Sequence, residues 1–254
     1  MEPTVSTELY SLYFGDSCKN LLDLPAGSVH FPLGTIGAIL TDPPYGMGIG
    51  KMGFANNRTS ILATSNDYSG MAQWDDERLS KKQIKNLIKL APTAIVFGGN
   101  FYADYLPPSR CWYVWDKKDG GKYSSDYADC EMIWTNIDAP ARIIRHTWHG
   151  MIQQDMARKE ERFHPTQKPV AVVRRLILDL TKPGDLVIDP FMGSGTTCIA
   201  ALQTGRRFVG FDNNEYYFSI AQQRIADELN AIDGVPRRLV GSADDWSNSP
   251  LFTG

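Results

Sequence analysis

Cysteine is scarce. The 254-residue sequence holds four (Cys18, Cys111, Cys130, Cys198), none in CxxC spacing, so neither a zinc site nor a disulfide framework is expected. Long apolar runs are also missing; nothing approaches the roughly 18 consecutive apolar residues of a membrane span. The first residues, MEPTVSTELY, show neither the basic flank nor the apolar core of a secretory leader. The expectation is a soluble, cytoplasmic protein with no membrane partner. A strong charge excess is absent too: the formal charge is −3, which does not advertise a nucleic-acid binder. Repeats, low-complexity tracts and Ser/Gly linkers are lacking as well, and the length suits one sizeable domain spanning residues 1–254.

What is present is an alternation of short apolar runs and helical patterns, the signature of a mostly parallel, layered α/β sheet. Strands are expected at Leu9–Phe14, Ile36–Leu40, Ala94–Phe97, Trp112–Trp115, Glu131–Trp134, Leu186–Ile188 and Phe208–Phe211. Helical periodicity marks 18–24, 77–90, 170–180, 196–203 and 215–229. Residues 46–76 are long, polar and rich in glycine and asparagine, which predicts a mobile loop or lid. Residues 136–163 look irregular and basic. From 138 to 175 there are eight Lys or Arg against four acids, a local excess that whole-chain charge hides.

Two stretches carry the chemistry. The first is TDPPYG, in which the strand 36–40 runs into Asp42, Pro43, Pro44 and Tyr45. Tandem prolines fix φ and donate no backbone hydrogen bond. They make a stiff, non-helical corner that bears a carboxylate and an aromatic ring.

The second is LVIDPFMGSGTTCIAALQTGRRFVGFD, a strand, a glycine turn, a helix and a strand ending in an acid. That order begins a Rossmann-type unit, in which glycines admit a ligand to the backbone and the helix N-terminus faces it. Asp212 falls where an acid accepts bonds from ribose hydroxyls. Asp189 ends the first strand; there it would repel a pyrophosphate but hold an ammonium. Asp189, Phe191, Gly193, Ser194, Gly195, Thr196 and Asp212 therefore suit a nucleoside with a cationic amino-acid tail, the shape of S-adenosylmethionine. A tight strand-to-helix turn with an N-cap is the plainer alternative.

Together the two stretches resemble the amino-group DNA methyltransferases that modify adenine N6 or cytosine N4. The carboxylate box here precedes the cofactor box, the permuted order of the family's β group. Further stretches agree: YFGD ending at Asp16, IVFGGN at 95–100, WDK at 115–117, and HPTQKP at 164–169. The resemblance covers about residues 9–230. It implies a Rossmann-like fold with a mostly parallel seven-stranded sheet and S-adenosylmethionine as cofactor. It places Asp16 near the adenine of that cofactor, with His164 and Lys168 at its methionine end.

The implied reaction is methyl transfer to a base flipped out of double-stranded DNA. Asp42 and the Pro43 carbonyl would accept the two N–H bonds of the target amine, and Tyr45 would offer an aromatic face. In the family, Asp in the first box position goes mainly with adenine, so Asp42 implies adenine N6, with cytosine N4 the alternative and a catalytically silent binding module a third. No cysteine follows a proline, which argues against cytosine-C5 chemistry with its thiolate nucleophile. The basic region 136–163 occupies the place of target recognition, and Arg142, Arg145 and Arg158 are the expected DNA contacts. A separate restriction partner and a homodimer are both compatible with the resemblance.

Overall fold

The computed structural model describes residues 2–24, 30–31, 33–47, 77–121, 128–150, 152–163 and 166–233. Most of the expected mobile loop, and His164, lie outside the described residues.

Among the described residues, nine strands form one twisted sheet. In chain order they are β1 (Val5–Ser6), β2 (Tyr10–Phe14), β3 (Ile36–Thr41), β4 (Thr93–Phe97), β5 (Trp112–Asp116), β6 (Cys130–Thr135), β7 (Arg142–Arg145), β10 (Leu186–Asp189) and β11 (Arg207–Asp212). Their order across the sheet is β1-β2-β11-β10-β3-β4-β6-β5-β7. From β2 to β4 every neighbouring pair is parallel, β6 runs antiparallel to both β4 and β5, and β7 is parallel to β5. Two-residue β1 and edge strand β7 extend the seven strands expected. A separate hairpin joins β8 (Trp148–His149) to β9 (Ile152–Gln153), so the region read as irregular contains β7 and this hairpin. Strands this short leave no period in the sequence.

Alternation along each strand divides the core into two layers. Ile39 and Val96 face one cluster with Ile84 and Leu87 of α1 (Lys81–Leu87). Leu40 and Ile95 face the other, where Val172, Val173, Leu176 and Ile177 of α2 (Val170–Leu180) pack with Cys198 of α3 (Thr196–Gln203) and Phe218, Ala221 and Ile225 of α4 (Glu215–Asp233). Helix α1 starts late, at Lys81, because Ser80 and Gln83 form a reciprocal capping box there. The helix expected near residues 18–24 is a π-helical turn, Cys18–Leu22.

The chain passes from β10 through α3 to β11 on one side, and from β3 through α1 to β4 on the other. The winding direction therefore reverses between β10 and β3. At such a switch the connections leave in opposite directions and open a crevice at the carboxyl ends of the strands.

Candidate active site

That crevice holds a cavity of about 280 Å³. Asp189 and Thr41 end adjacent parallel strands, and both sequence boxes open into the same space. The cavity is lined by Asp42 and Pro44 from the first box, and by Asp189, Phe191, Gly193, Ser194 and Thr196 from the second. Asp16, Asp212 and Lys168 line it as well. Gly195 does not; it sits at φ 82° as the N-cap of α3, where an added Cβ would lie 3.0 Å from Ala221. Pro43 is buried and Tyr45 lies to one side, so neither lines the cavity.

Asp189 is almost fully buried. Its Oδ1 accepts from the Thr41 hydroxyl at 2.7 Å and the Phe191 N–H at 3.0 Å, and its Oδ2 accepts from the Thr197 hydroxyl at 2.7 Å. Burial pushes its pKa up to about 6, although these three donors pull the other way. Asp212 accepts from the N–H groups of Gly193 (2.9 Å) and Asn214 (2.8 Å), and burial raises it to about 7. Each oxygen of these carboxylates can accept more than one bond. Gly193, at φ 52°, has nothing among the described residues within 4 Å of where a Cβ would stand, which leaves its backbone open there.

The first box is braced from behind. The Tyr102 hydroxyl donates to the Pro44 carbonyl. The Tyr45 hydroxyl donates to Asp42 Oδ1, and its ring stacks on Phe101 with centroids 4.6 Å apart. This ring position exists because residue 98 is glycine: at φ 60°, an added Cβ would fall 2.2 Å from the Tyr45 ring. The motif IVFGGN thus reaches the site through an absent side chain.

Lys168 makes contacts that the sequence did not announce. It lines the cavity, but its ammonium lies 2.5 Å from Asp42 Oδ2 and 3.4 Å from Glu131 Oε2. Glu131, in β6, also pairs with Lys117. Burial raises the Asp42 pKa, with Lys168 lowering it and Glu131 raising it. Burial would raise Glu131 too, but Lys168 and Lys117 carry it below the usual carboxylate range. For Lys168 burial pulls down, and the two carboxylates win and push it up. Sequence reading missed Glu131. Its one signal was an acid inside an otherwise apolar strand, CEMIWT.

A second network lies behind the glycine turn. Gln167 Oε1 accepts from the Phe163 N–H at 2.9 Å and the Ser194 hydroxyl at 3.2 Å, and its Nε2 donates to Glu160 at 3.0 Å. Arg224 donates to the Ser194 carbonyl at 2.7 Å. The glycine box is therefore tied to the 136–163 segment and to α4.

Arg142, Arg145 and Arg158 are exposed. Arg145 pairs in register with Asp116 at the carboxyl end of β5, the same sheet edge as Asp42. Arg142 begins β7, about 10 Å away at the strand's rise per residue. Arg142 and Arg145 therefore stand at opposite ends of β7.

The sequence model of the family described as DNA methylase (N6_N4_Mtase) matches residues 112–223. Type II methyltransferase M.HpaI of Haemophilus parainfluenzae is 38% identical over 250 residues, covering 84% of this chain and 76% of that protein. The chain belongs to the N6/N4 DNA methylase family. Alignments with other curated relatives span 35%, 45% and 47% of their lengths, about half or less. Among solved structures, the PvuII DNA methyltransferase, titled cytosine-N4-specific, superposes with TM-score 0.54 at 18% identity, over 91% of this chain and 95% of that one. A complex of M1.HpyAVI with SAM superposes with TM-score 0.50 at 19% identity, over 85% and 99%. These two likenesses show that this member of the family shares their Rossmann-like methyltransferase fold.

Proposed function

We propose that this chain transfers a methyl group from S-adenosylmethionine to the exocyclic N6 of an adenine flipped out of double-stranded DNA. One observation carries the reading: the carboxylate box and the glycine box open into a single cavity, with Asp42 and Asp189 on its wall. Family membership supports the reaction class, and Asp42 in the first box position supports adenine.

The residues present fit the cofactor. The cavity volume, about 280 Å³, lies near the lower end of small-molecule sites, about 300 Å³. Asp189 offers negative charge to an ammonium, the first turn of α3 offers N–H groups to a carboxylate, and Asp212 offers lone pairs to ribose hydroxyls. The open backbone at Gly193 admits the ligand's close approach. When bound, this cofactor supplies an electrophilic methyl group on a sulfonium.

An adenine amine is a poor nucleophile because its lone pair is delocalised into the ring. We assign one of its N–H bonds to Asp42, on the cavity wall, and the other to the backbone carbonyl of Pro43, which lies beside the cavity and not on its wall. The nitrogen then pyramidalises with its lone pair toward the methyl carbon. The displacement is direct, and positioning supplies much of the rate. The amine sheds one proton after transfer, and Asp42 is the acceptor we assign. Tyr45 holds the base by its ring, with Phe101 behind it. Arg145, on the same sheet edge, and the exposed Arg142 and Arg158 contact the DNA backbone. We place the reaction in the cytoplasm.

The test is incubation with mixed-sequence DNA and isotopically labelled S-adenosylmethionine, then mass spectrometry of the nucleosides. Labelled N6-methyladenine is expected. Labelled N4-methylcytosine would move the target base, and no label, or full activity in Asp42→Ala, would remove the reading.

A further inference from the structure

We propose that Glu131 is a positioning residue for methyl transfer: acting through Lys168, it sets how strongly Asp42 accepts hydrogen bonds from the target amine. The inference rests on the methyl-transfer reading above.

Four charges form an alternating chain: Asp42, Lys168, Glu131 and Lys117. They come from four separate places, the turn after β3, the segment leading into α2, strand β6 and the end of β5. Sequence proximity cannot account for the arrangement. Lys168 is 8% exposed and sits over the Phe97 ring at 5.4 Å, so water screens it poorly.

A lone ammonium 2.5 Å from a carboxylate would hold that carboxylate's electron density for itself. It would keep Asp42 ionised but make it a weak acceptor for a base. A second anion on the far side of the same ammonium divides its field. Glu131 fills that position, its buried Oε2 3.4 Å from the ammonium, so toward Lys168 it acts chiefly through its charge. Lys117 on its other oxygen keeps Glu131 ionised. The remaining groups around Asp42 are Tyr45, in its own turn, and Asp189, at the end of β10. Lys168 also donates to the Thr166 carbonyl at 3.4 Å.

The two arms of the chain therefore act on Asp42 in opposite senses. Removing the Glu131 charge leaves the Lys168 field undivided, because the 2.5 Å contact is with Asp42 and the 3.4 Å contact with Glu131. Asp42 then ionises at lower pH and accepts less well. Removing the Lys168 charge leaves two like charges facing each other, and Asp42 protonates at higher pH.

The experiment measures kcat against pH at saturating DNA and S-adenosylmethionine, with the Asp42 carboxyl followed by carbon-13 NMR in the same proteins. In Glu131→Gln the acidic limb and the Asp42 titration move down, and the plateau kcat falls about tenfold. In Lys168→Met both move up by about one pH unit. The charge-keeping Lys168→Arg retains the native limb and guards against simple misfolding. Cofactor affinity stays within about twofold in Glu131→Gln, a split between binding and turnover that a merely structural role would not give. Limbs that do not move, or that move the same way in both variants, overturn the inference while leaving an active enzyme. A wild-type protein that methylates no DNA removes the parent reading, and the role of Glu131 with it.

Discussion

Thr41 and Asp189 stand 148 residues apart in the chain, and a 2.7 Å hydrogen bond from the Thr41 hydroxyl to Asp189 Oδ1 joins them. The bond links the last residue of β3 to the last residue of β10 at the reversal of the sheet's winding. It fixes the two boxes against each other, so the distance between the carboxylate box and the glycine box is set by the sheet and not by loops.

Thr41→Val keeps the shape of the side chain and removes the donor. A buried carboxylate that loses one of three donors costs about 1–3 kcal/mol. Thermal unfolding should show that loss, and calorimetric titration should show weaker S-adenosylmethionine binding, because the Asp189 carboxyl becomes harder to ionise. An unchanged melting temperature would mean that this bond contributes nothing.

Gly98→Ala should act on turnover. The added methyl would fall 2.2 Å from the Tyr45 ring at a backbone φ of 60°, so the ring must leave its place on Phe101. We expect kcat to fall tenfold or more, about 1.4 kcal/mol of barrier, while cofactor affinity is retained. Equal losses in both would point to general unfolding.

Stability should depend on pH through Asp189 and Asp212, whose pKa values are raised from 3.8 to about 6 and about 7 by burial. Between 3.8 and those values the folded chain binds more protons than the unfolded one, so this stabilisation falls as pH rises. It is fully present below 3.8 and lost as pH passes through about 6 and about 7. Urea unfolding of the ligand-free protein from pH 4.5 to 8 would show the decline, and Asp212→Asn should flatten its upper part.

Alanine at Arg142 or Arg145 should weaken DNA binding evenly across sequences and lower the slope of log K against log salt by about one per lost phosphate contact. Because Arg145 shares the sheet edge with Asp42, its variant should lose more than that of Arg142. Identical salt slopes in wild type and both variants would take the DNA track off this edge.

Much of the frame is legible in the sequence. Helices α2 and α3 begin and end where periodicity and their flanking Pro and Gly residues place them, and β10 and β11 extend the expected strands by one or two residues. Those elements carry strong local signals. The β8–β9 hairpin carries none, since two residues cannot show a period, and β7 reads RIIR with three of its four residues exposed. The site divides in the same way. Asp42, Asp189 and Asp212 announce themselves at strand ends. Glu131 does not, because its meaning lies in a lysine 37 residues downstream that only the folded sheet brings near. Gly98 matters through the space it leaves for a ring 53 residues upstream, which no window of sequence displays.

The side-by-side pairing of β3 and β10 has one more consequence. Lateral contact between two strands is indifferent to which of them the ribosome makes first. A chain cut elsewhere and rejoined so that the glycine box came ahead of the carboxylate box would rebuild the same crevice, atom for atom. What selection has to guard in such a protein is who stands beside whom, and the gene is free to shuffle the order of introduction.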